Sequence, residues 1–433
     1  MNLTNPRMIT SVKLGEVCRF KGGSGFREAL QGSKSGQYPF IKVSDMELLC
    51  NRKYIVDANN WIDKKTLVRE SITIFPVHSV VFAKVGAALL LNRRRILTRE
   101  TAIDNNMMGA IPEKIEPDFL FYVLLNIDFS NFVQSGAVPS INQAQISNIE
   151  TILPCSAEQT QIATILSTID RAIEQTEALI AKQQRIKTGL MQDLLTKGID
   201  ENGNIRSEET HEFKDSPLGR IPVEWDCKDI ITIAYVTKLA GFEFTNYFNY
   251  SIGGEIIALR ALNIKNEKLD LTDIQTIPKK VSDILPRSKI NRNDILITYI
   301  GAYIGDVLRI EDNEKFHLAP NIAKIVSKDG VYPQFLEIAL RTHYLQRQIK
   351  NLTATTATPS LTMTQIRSLL VAIPRNQSEQ KVITEHISRI TKVIDENASR
   401  LAKLKLQKTG LMQDLLTGKV RVTDLLNQKT AVN

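Results

Sequence analysis

The run Lys187-Thr-Gly-Leu-Met-Gln-Asp-Leu-Leu-Thr196 recurs without a change at Lys408 to Thr417, an offset of 221 residues (408 − 187). Identity of that length does not arise by chance, and a repeat decides the architecture before any single element does. Upstream of it, Glu158-Gln159 matches Glu379-Gln380 at the same offset, and Pro154 matches Pro374 one residue closer. Further back, Pro139-Ser140 and Gln145-Ile146 match Pro359-Ser360 and Gln365-Ile366. The chain therefore holds two copies of one unit, each an irregular domain of roughly 150 residues followed by a repeated segment of about 40. Function is to be expected in duplicate.

The repeated segments read as helices. Ile162, Leu166, Ile169, Ile173, Ile180 and Leu190 follow alternating steps of four and three, with Thr176 and Gln183 filling the series. That is a heptad seam. Ile383, Ile387, Ile390, Ile394, Asn397, Leu401, Leu404 and Leu411 continue the same spacing in the second copy. A helix over 157–196 contains no proline and has Gly189 as its weak point; it would be ~60 Å long at ~1.5 Å per residue. Such a helix needs a partner. The simplest is the other copy, antiparallel, with polar Thr176 and Asn397 at equivalent seam positions where they can fix register. The alternative is that each seam packs on its own globular domain.

The globular units read as mixed α/β. Tyr38-Pro-Phe-Ile-Lys-Val-Ser and Ser79-Val-Val-Phe-Ala-Lys-Val are short β-rich runs, and Pro117 to Ile127 has a helix opened by proline and aspartate. Glu255 to Leu262, Asp294 to Tyr299 and Pro333 to Arg341 follow in the same order in the second unit. The fold class is therefore α+β, with two pseudo-repeated mixed α/β domains separated by two long helices in an antiparallel coiled coil. The expected boundaries are 1–155, a helical region with linker over 156–215, 216–375, and a second helical region over 376–433. Gly198 to Pro222, polar and turn-rich, reads as a connection and not as core.

The 55 Lys and Arg against 47 Asp and Glu leave a formal charge of +8, which suits a polyanionic partner. Cys18, Cys50, Cys155 and Cys227 stand far apart with no CxxC pair, so free thiols in a cytoplasmic protein are expected. The opening MNLTNPRMIT lacks a long apolar core, and Phe119 to Ile127 is too short to span a bilayer, so no membrane role is expected.

No catalytic motif stands out. Lys21-Gly-Gly-Ser-Gly-Phe26 lacks the closing lysine of a phosphate-binding loop, and there is no NPPY-like run to hold a flipped base. Asp63-Lys64-Lys65 and Asp226-Cys227-Lys228 each lack the first acid of a nuclease metal site. The five histidines, His78, His211, His317, His343 and His386, have no metal-ligand spacing. Base chemistry would then belong to another chain, and no metal or cofactor is expected here.

DNA contact is expected from two basic stretches. In the first unit these are Arg93, Arg94, Arg95 and Arg99, with Lys84 nearby if Gly86 makes a turn; in the second, Lys279, Lys280, Arg287, Lys289 and Arg292 precede Thr298, Tyr299 and Tyr303 around Gly301 and Gly305. Arginine forks and lysines can hold phosphates, and tyrosine or threonine beside a glycine turn can reach base edges.

Along nearly its whole length the sequence resembles type I restriction-modification specificity subunits. The resemblance rests on the doubled KTGLMQDLL helix end, on the preceding Pro154 to Gln159 and Pro374 to Gln380, on Phe213-Lys-Asp-Ser-Pro-Leu-Gly-Arg-Ile-Pro-Val-Glu-Trp225, and on Asn293-Asp-Ile-Leu-Ile-Thr-Tyr-Ile-Gly301 with Gly305. The first unit keeps Gly86 but has Leu90 where the second glycine would fall. The resemblance implies two target recognition domains, each reading half of a split double-stranded DNA site, spaced by paired helices that act as a ruler. It also implies two docked methyltransferase subunits supplying S-adenosylmethionine chemistry, and restriction subunits for ATP-dependent cleavage. Competing classes are a self-sufficient DNA enzyme and a coiled-coil scaffold without readout of its own.

Overall fold

Apolar runs without polar alternation mark strands covered on both faces, and one such run sits at the centre of each globular region. The computed structural model describes residues 10–133, 138–265, 267–312, 315–354 and 359–426, so residues 1–9 of the opening stretch lie outside it. The chain folds as two units, one of Met1–Ala178 with Ala398–Asn433 and one of Leu179–Asn397.

In the first unit β1 (Cys18–Gly22), β2 (Tyr54–Ile55), β3 (Val80–Ala83), β4 (Arg95–Leu97) and β5 (Met107–Pro112) form a sheet in the order β1-β5-β3-β4-β2. Val80 and Phe82 of β3 face a cluster built on α1 (Pro117–Asn126), and Val81 faces another with Ile41, Phe75 and Ile103. Those three come from a second sheet of Trp61–Ile62, Tyr38–Ile41, Thr101–Ile103 and Ile74–Phe75. Pro117 occupies the first turn of α1, and the Glu116 carboxylate caps it by accepting from the Phe119 amide at 2.6 Å. Strand Thr10–Lys13 pairs with Glu150–Leu153, which leads into α2 (Ser156–Leu194).

The second unit repeats the plan. β6 (Ala234–Lys238), β7 (Ile295–Thr298), β8 (Val307–Arg309) and β9 (Ile322–Ser327) are ordered β6-β9-β7-β8. Ile295 and Ile297 face Phe335 and Leu336 of α3 (Pro333–Leu340), whereas Leu296 faces Ala258, Leu259 and Leu318. Strand Trp225–Asp229 pairs with Leu370–Pro374, which leads into α4 (Gln377–Leu416).

The long helices pair antiparallel, and each begins in one unit and ends in the other. In the first unit Asp170 pairs with Lys408 at 2.6 Å and Glu177 with Lys405 at 2.9 Å, so the partner number falls as the helix advances. In the second, Asn397 donates to Gln183 at 3.2 Å. The seam follows the heptad positions: Ile162, Leu166, Ile173, Ile383 and Ile387 are buried, and Ile169, Ile180, Leu190, Ile390, Ile394, Leu401 and Leu411 are half-buried. A two-helix contact covers only one stripe, which explains the half burial. The seam ends also enter the globular cores. Ile162 and Leu166 cluster with Met412, Leu415 and Leu416, and Ile383 and Ile387 cluster with Leu194 and Leu195. The two arrangements posed as alternatives therefore coexist.

The connection over 198–222 departs from its expected character. Ile199, Arg206 and Ile221 are buried, and a hairpin of Phe213–Ser216 and Gly219–Pro222 forms within it. It is anchored because the Arg206 guanidinium reaches the Glu379 carboxylate. Gly198, at φ +64, lies so close to that pair that a Cβ would stand 2.4 Å from Glu379 Oε1.

Candidate nucleic-acid interface

The run of three arginines in the first unit is divided by the fold. Arg94 is 1% exposed, lies over the Phe129 ring at 3.8 Å, and donates to the carbonyls of Leu124, Arg93 and Ile127 and to Asn92 Oδ1. Burial pulls its pKa down to about 9. Arg95 is half-buried and spends its donors on the carbonyls of Asn51, Arg94 and Met46. These two guanidiniums hold loops together and have no free fork for a phosphate, which corrects the expectation for them. The cause is the ladder: β4 pairs with the fully buried β3, with Arg95 opposite Val81, so Arg95 and the adjacent Arg94 are drawn against the core.

Arg93 stays at the surface and pairs with Glu47. Arg99 is exposed, with its guanidinium 5.6 Å from the Trp61 ring centre. It follows β4 at the opposite end from Arg93, so the sequence cluster is not one patch. Gly86 does make the expected turn, at φ +77, and caps a short helical turn of Ala87–Leu90 where the second unit has a glycine turn. Lys84 is half-exposed, and among the described residues its side chain has no ion pair or hydrogen bond.

In the second unit Lys279, Lys280 and Arg292 are exposed, and Tyr303 is 39% exposed. Arg287 and Lys289 are committed to Glu243 and Asp283. Thr298 is fully buried with no hydrogen-bond partner for its hydroxyl among the described residues, and Tyr299 is 6% exposed. Neither can reach a base edge in this structure, which corrects the expectation for both. Strand alternation explains it. Thr298 shares the face of Leu296, Tyr299 shares that of Ile295 and Ile297, and both faces of this sheet are covered. Gly301 and Gly305, at φ +101 and +88, form the turn beyond.

The repeated Glu-Gln pair carries structure that sequence reasoning noted without explaining. Gln159 accepts from the Glu116 amide at 2.8 Å and donates to the Pro154 carbonyl at 2.8 Å; Gln380 does the same with Tyr332 and Pro374 at 2.8 and 2.9 Å. Each glutamine thus ties the start of α1 or α3 to the start of a long helix. Glu158 binds Arg421 at 2.6 Å, and Glu379 binds Arg206 through both oxygens at 2.6 and 3.1 Å while accepting from Trp225 Nε1 at 3.0 Å. Each acid at a helix start takes the arginine that follows the other long helix. The two arginines are 215 residues apart (421 − 206) and the acids 221 (379 − 158), so no single repeat offset links them. Among the described residues, no group of three or more His, Cys, Asp or Glu is placed to hold a metal, and no helix is long and apolar enough to cross a membrane.

The family model for the type I restriction modification DNA specificity domain matches residues 6–183 and again 228–406. The type I restriction enzyme MjaVIII specificity subunit of Methanocaldococcus jannaschii is 23% identical over 96% of this chain and 93% of its own length. Among solved structures, the type I restriction-modification S subunit from M. genitalium superposes with a TM-score of 0.59 at 14% identity, over 96% of this chain and 98% of its own. A chain from a structure concerned with complex assembly and conformational transition of the type I R-M system gives 0.56 at 15%, over 97% of this chain and 100% of its own. At such identity these two likenesses concern the fold. The twofold family match, laid over a fold that repeats itself at the same places, establishes that this chain belongs to the type I restriction-modification DNA specificity family.

Proposed function

We propose that the chain is the DNA-specificity subunit of a type I restriction-modification complex. The observation that carries this is the family match in two copies, each falling on one repeat of the fold. Residues 1–155 and 216–375 act as target recognition domains, each reading one half of a split double-stranded site, and the helical regions 156–215 and 376–433 join them. Arg93, Arg99, Lys279, Lys280, Arg292 and Tyr303 are the surface side chains that suit the DNA-facing role. The chain contributes no catalysis and binds no cofactor itself. Two methyltransferase subunits dock on it and modify the base, restriction subunits add cleavage, and the complex works in the cytoplasm.

The test is an exchange. Replacing residues 216–375 with the corresponding unit of another family member, then sequencing the methylome of cells carrying the assembled complex, should change one half of the methylated sequence and leave the other. Change in both halves overturns independent reading. Methylation that persists after deletion of the gene overturns the assignment itself.

A further inference from the structure

Two readers of different half-sites share the DNA backbone but not the bases. A charge that both units keep while the residues around it change is therefore suited to the phosphodiester. One polar notch occurs in both. In the first unit Gly22 of β1 stands opposite Met108 and Ala83 of β3 opposite Met107, at one end of β5. In the second, Lys238 of β6 stands opposite Ala323 and Thr298 of β7 opposite Ile322, at the matching end of β9. The next residue along is Lys84 in one unit and Tyr299 in the other. Lys84 donates its amide to the Asn106 carbonyl and accepts from the Ile141 amide; Tyr299 does the same with Asn321 and Leu361. The Ser140 and Ser360 loops are bridged alongside, to Val85 and Ile300.

At this notch the amine has changed strands. In the first unit it is Lys84, whose Nζ lies 3.1 Å from where a Cβ on Gly22 would stand. In the second the glycine position holds Lys238, and its Nζ lies 5.2 Å from the ring centre of Tyr299, which replaces the lysine. Both lysines are half-exposed, and neither side chain has an ion pair or hydrogen bond among the described residues. The side chains of Asn106 and Asn321 are likewise without a hydrogen bond there. The nearby Asp104 carboxylate is turned back onto the Asn106 amide at 2.7 Å, and Ala319 takes its place in the second unit. What is retained is one lysine amine at this end of the sheet, on the strand position next to Asn106 in the first unit and on the opposite strand in the second, leaning toward Tyr299 beside Asn321. A point charge serves a phosphate, whereas base reading needs a fixed side-chain geometry.

Resting on the specificity-subunit reading, we propose that Lys84 with Asn106, and Lys238 with Asn321, form equivalent backbone-phosphate sites, one per recognition unit, that position each unit without selecting sequence. The experiment uses the full-length chain and duplex DNA probes of several unrelated sequences, with affinity followed by fluorescence anisotropy as salt rises. Each phosphate contact contributes about 0.9 to the slope of log affinity against log salt. Lys84→Ala and Lys238→Ala should each flatten that slope by about 0.9, equally on every probe, so that over a fourfold salt rise each variant loses about threefold less affinity than the parent. Gly22→Lys with Lys84→Tyr, which gives the first unit the second unit's arrangement, should restore the parental slope. A parent that binds with a normal salt slope while both alanine variants keep it overturns this inference alone. So does an effect confined to one probe sequence, which marks a base contact. A parent with no affinity for duplex DNA overturns the specificity reading, and this inference with it.

Discussion

Replacing Glu379 with alanine should be the most damaging single change at the junction of the second unit. Its carboxylate accepts from Arg206 through both oxygens, from Trp225 Nε1 at 3.0 Å and from the Ile199 amide at 3.1 Å. The side chains of the ion pair are 8% and 9% exposed, so water cannot replace the lost acceptor. Removing one partner of a buried pair costs about 3–5 kcal/mol, because the other charge stays buried without compensation. For a unit of this size each kcal/mol lowers the melting temperature by about 2–4 °C, which gives a fall of about 6–20 °C. Trp225 is one of two tryptophans and fully buried, so its fluorescence in a Trp61→Phe background reports this site directly. Glu158→Ala should cost less, about 1–2 kcal/mol, since its partner Arg421 has a side chain 28% exposed. Replacing both Arg206 and Glu379 with methionine should recover part of the loss. A Glu379→Ala variant that melts with the parent, or a double variant worse than the single, would refute the argument that an uncompensated buried charge dominates.

Three further outcomes are expected. Replacing Ile169 and Ile390 with aspartate places charge in the half-buried seam and should cost about 2–4 kcal/mol at each site, with loss of methyltransferase association in co-purification; unchanged melting and assembly would count against the pairing. Arg94→Met leaves the Leu124 and Ile127 carbonyls without donors and should lower stability in denaturant titration by about 2–4 kcal/mol, whereas Arg93→Met should stay within about 0.5 kcal/mol of the parent. Equal effects of the two would show that Arg94 is not an internal brace. Burial pushes the Cys18 thiol up to about 12, so at pH 8 a thiol reagent should label exposed Cys50 first and Cys18 only on unfolding; early Cys18 labelling, read by peptide mapping, would contradict its buried position.

Much of the architecture is carried by local pattern. The ten-residue repeat, the heptad spacing from Ile162 to Leu190 and the apolar run at Val80 need only neighbours along the chain to be read, because periodicity and local identity are properties of the chain itself. The same holds for the start of α1, where Pro117 and the capping Glu116 mark the helix within four residues. What tertiary structure alone decides is which charged side chains remain at the surface. Arg93, Arg94 and Arg95 are alike in sequence, yet Arg94 lies on Phe129 because β4 is laid against a strand buried on both faces. Thr298 and Tyr299 resemble loop residues beside a glycine turn, but the ladder runs to Thr298, the Tyr299 amide still bonds the Asn321 carbonyl, and both side chains lie inside. Arg206 looks like one more charge in a polar connection until Glu379, 173 residues away, gives it a buried partner. Lys84 leans toward the Gly22 position and Lys238 toward Tyr299, so each unit has one lysine at this sheet end but on a different strand, which position-by-position matching of the two copies does not reveal. The physical reason is common to all of these. Secondary structure is set by interactions a few residues apart, whereas the exposure of a charge depends on contacts between segments distant in sequence, and those exist only once the sheets have closed over their cores.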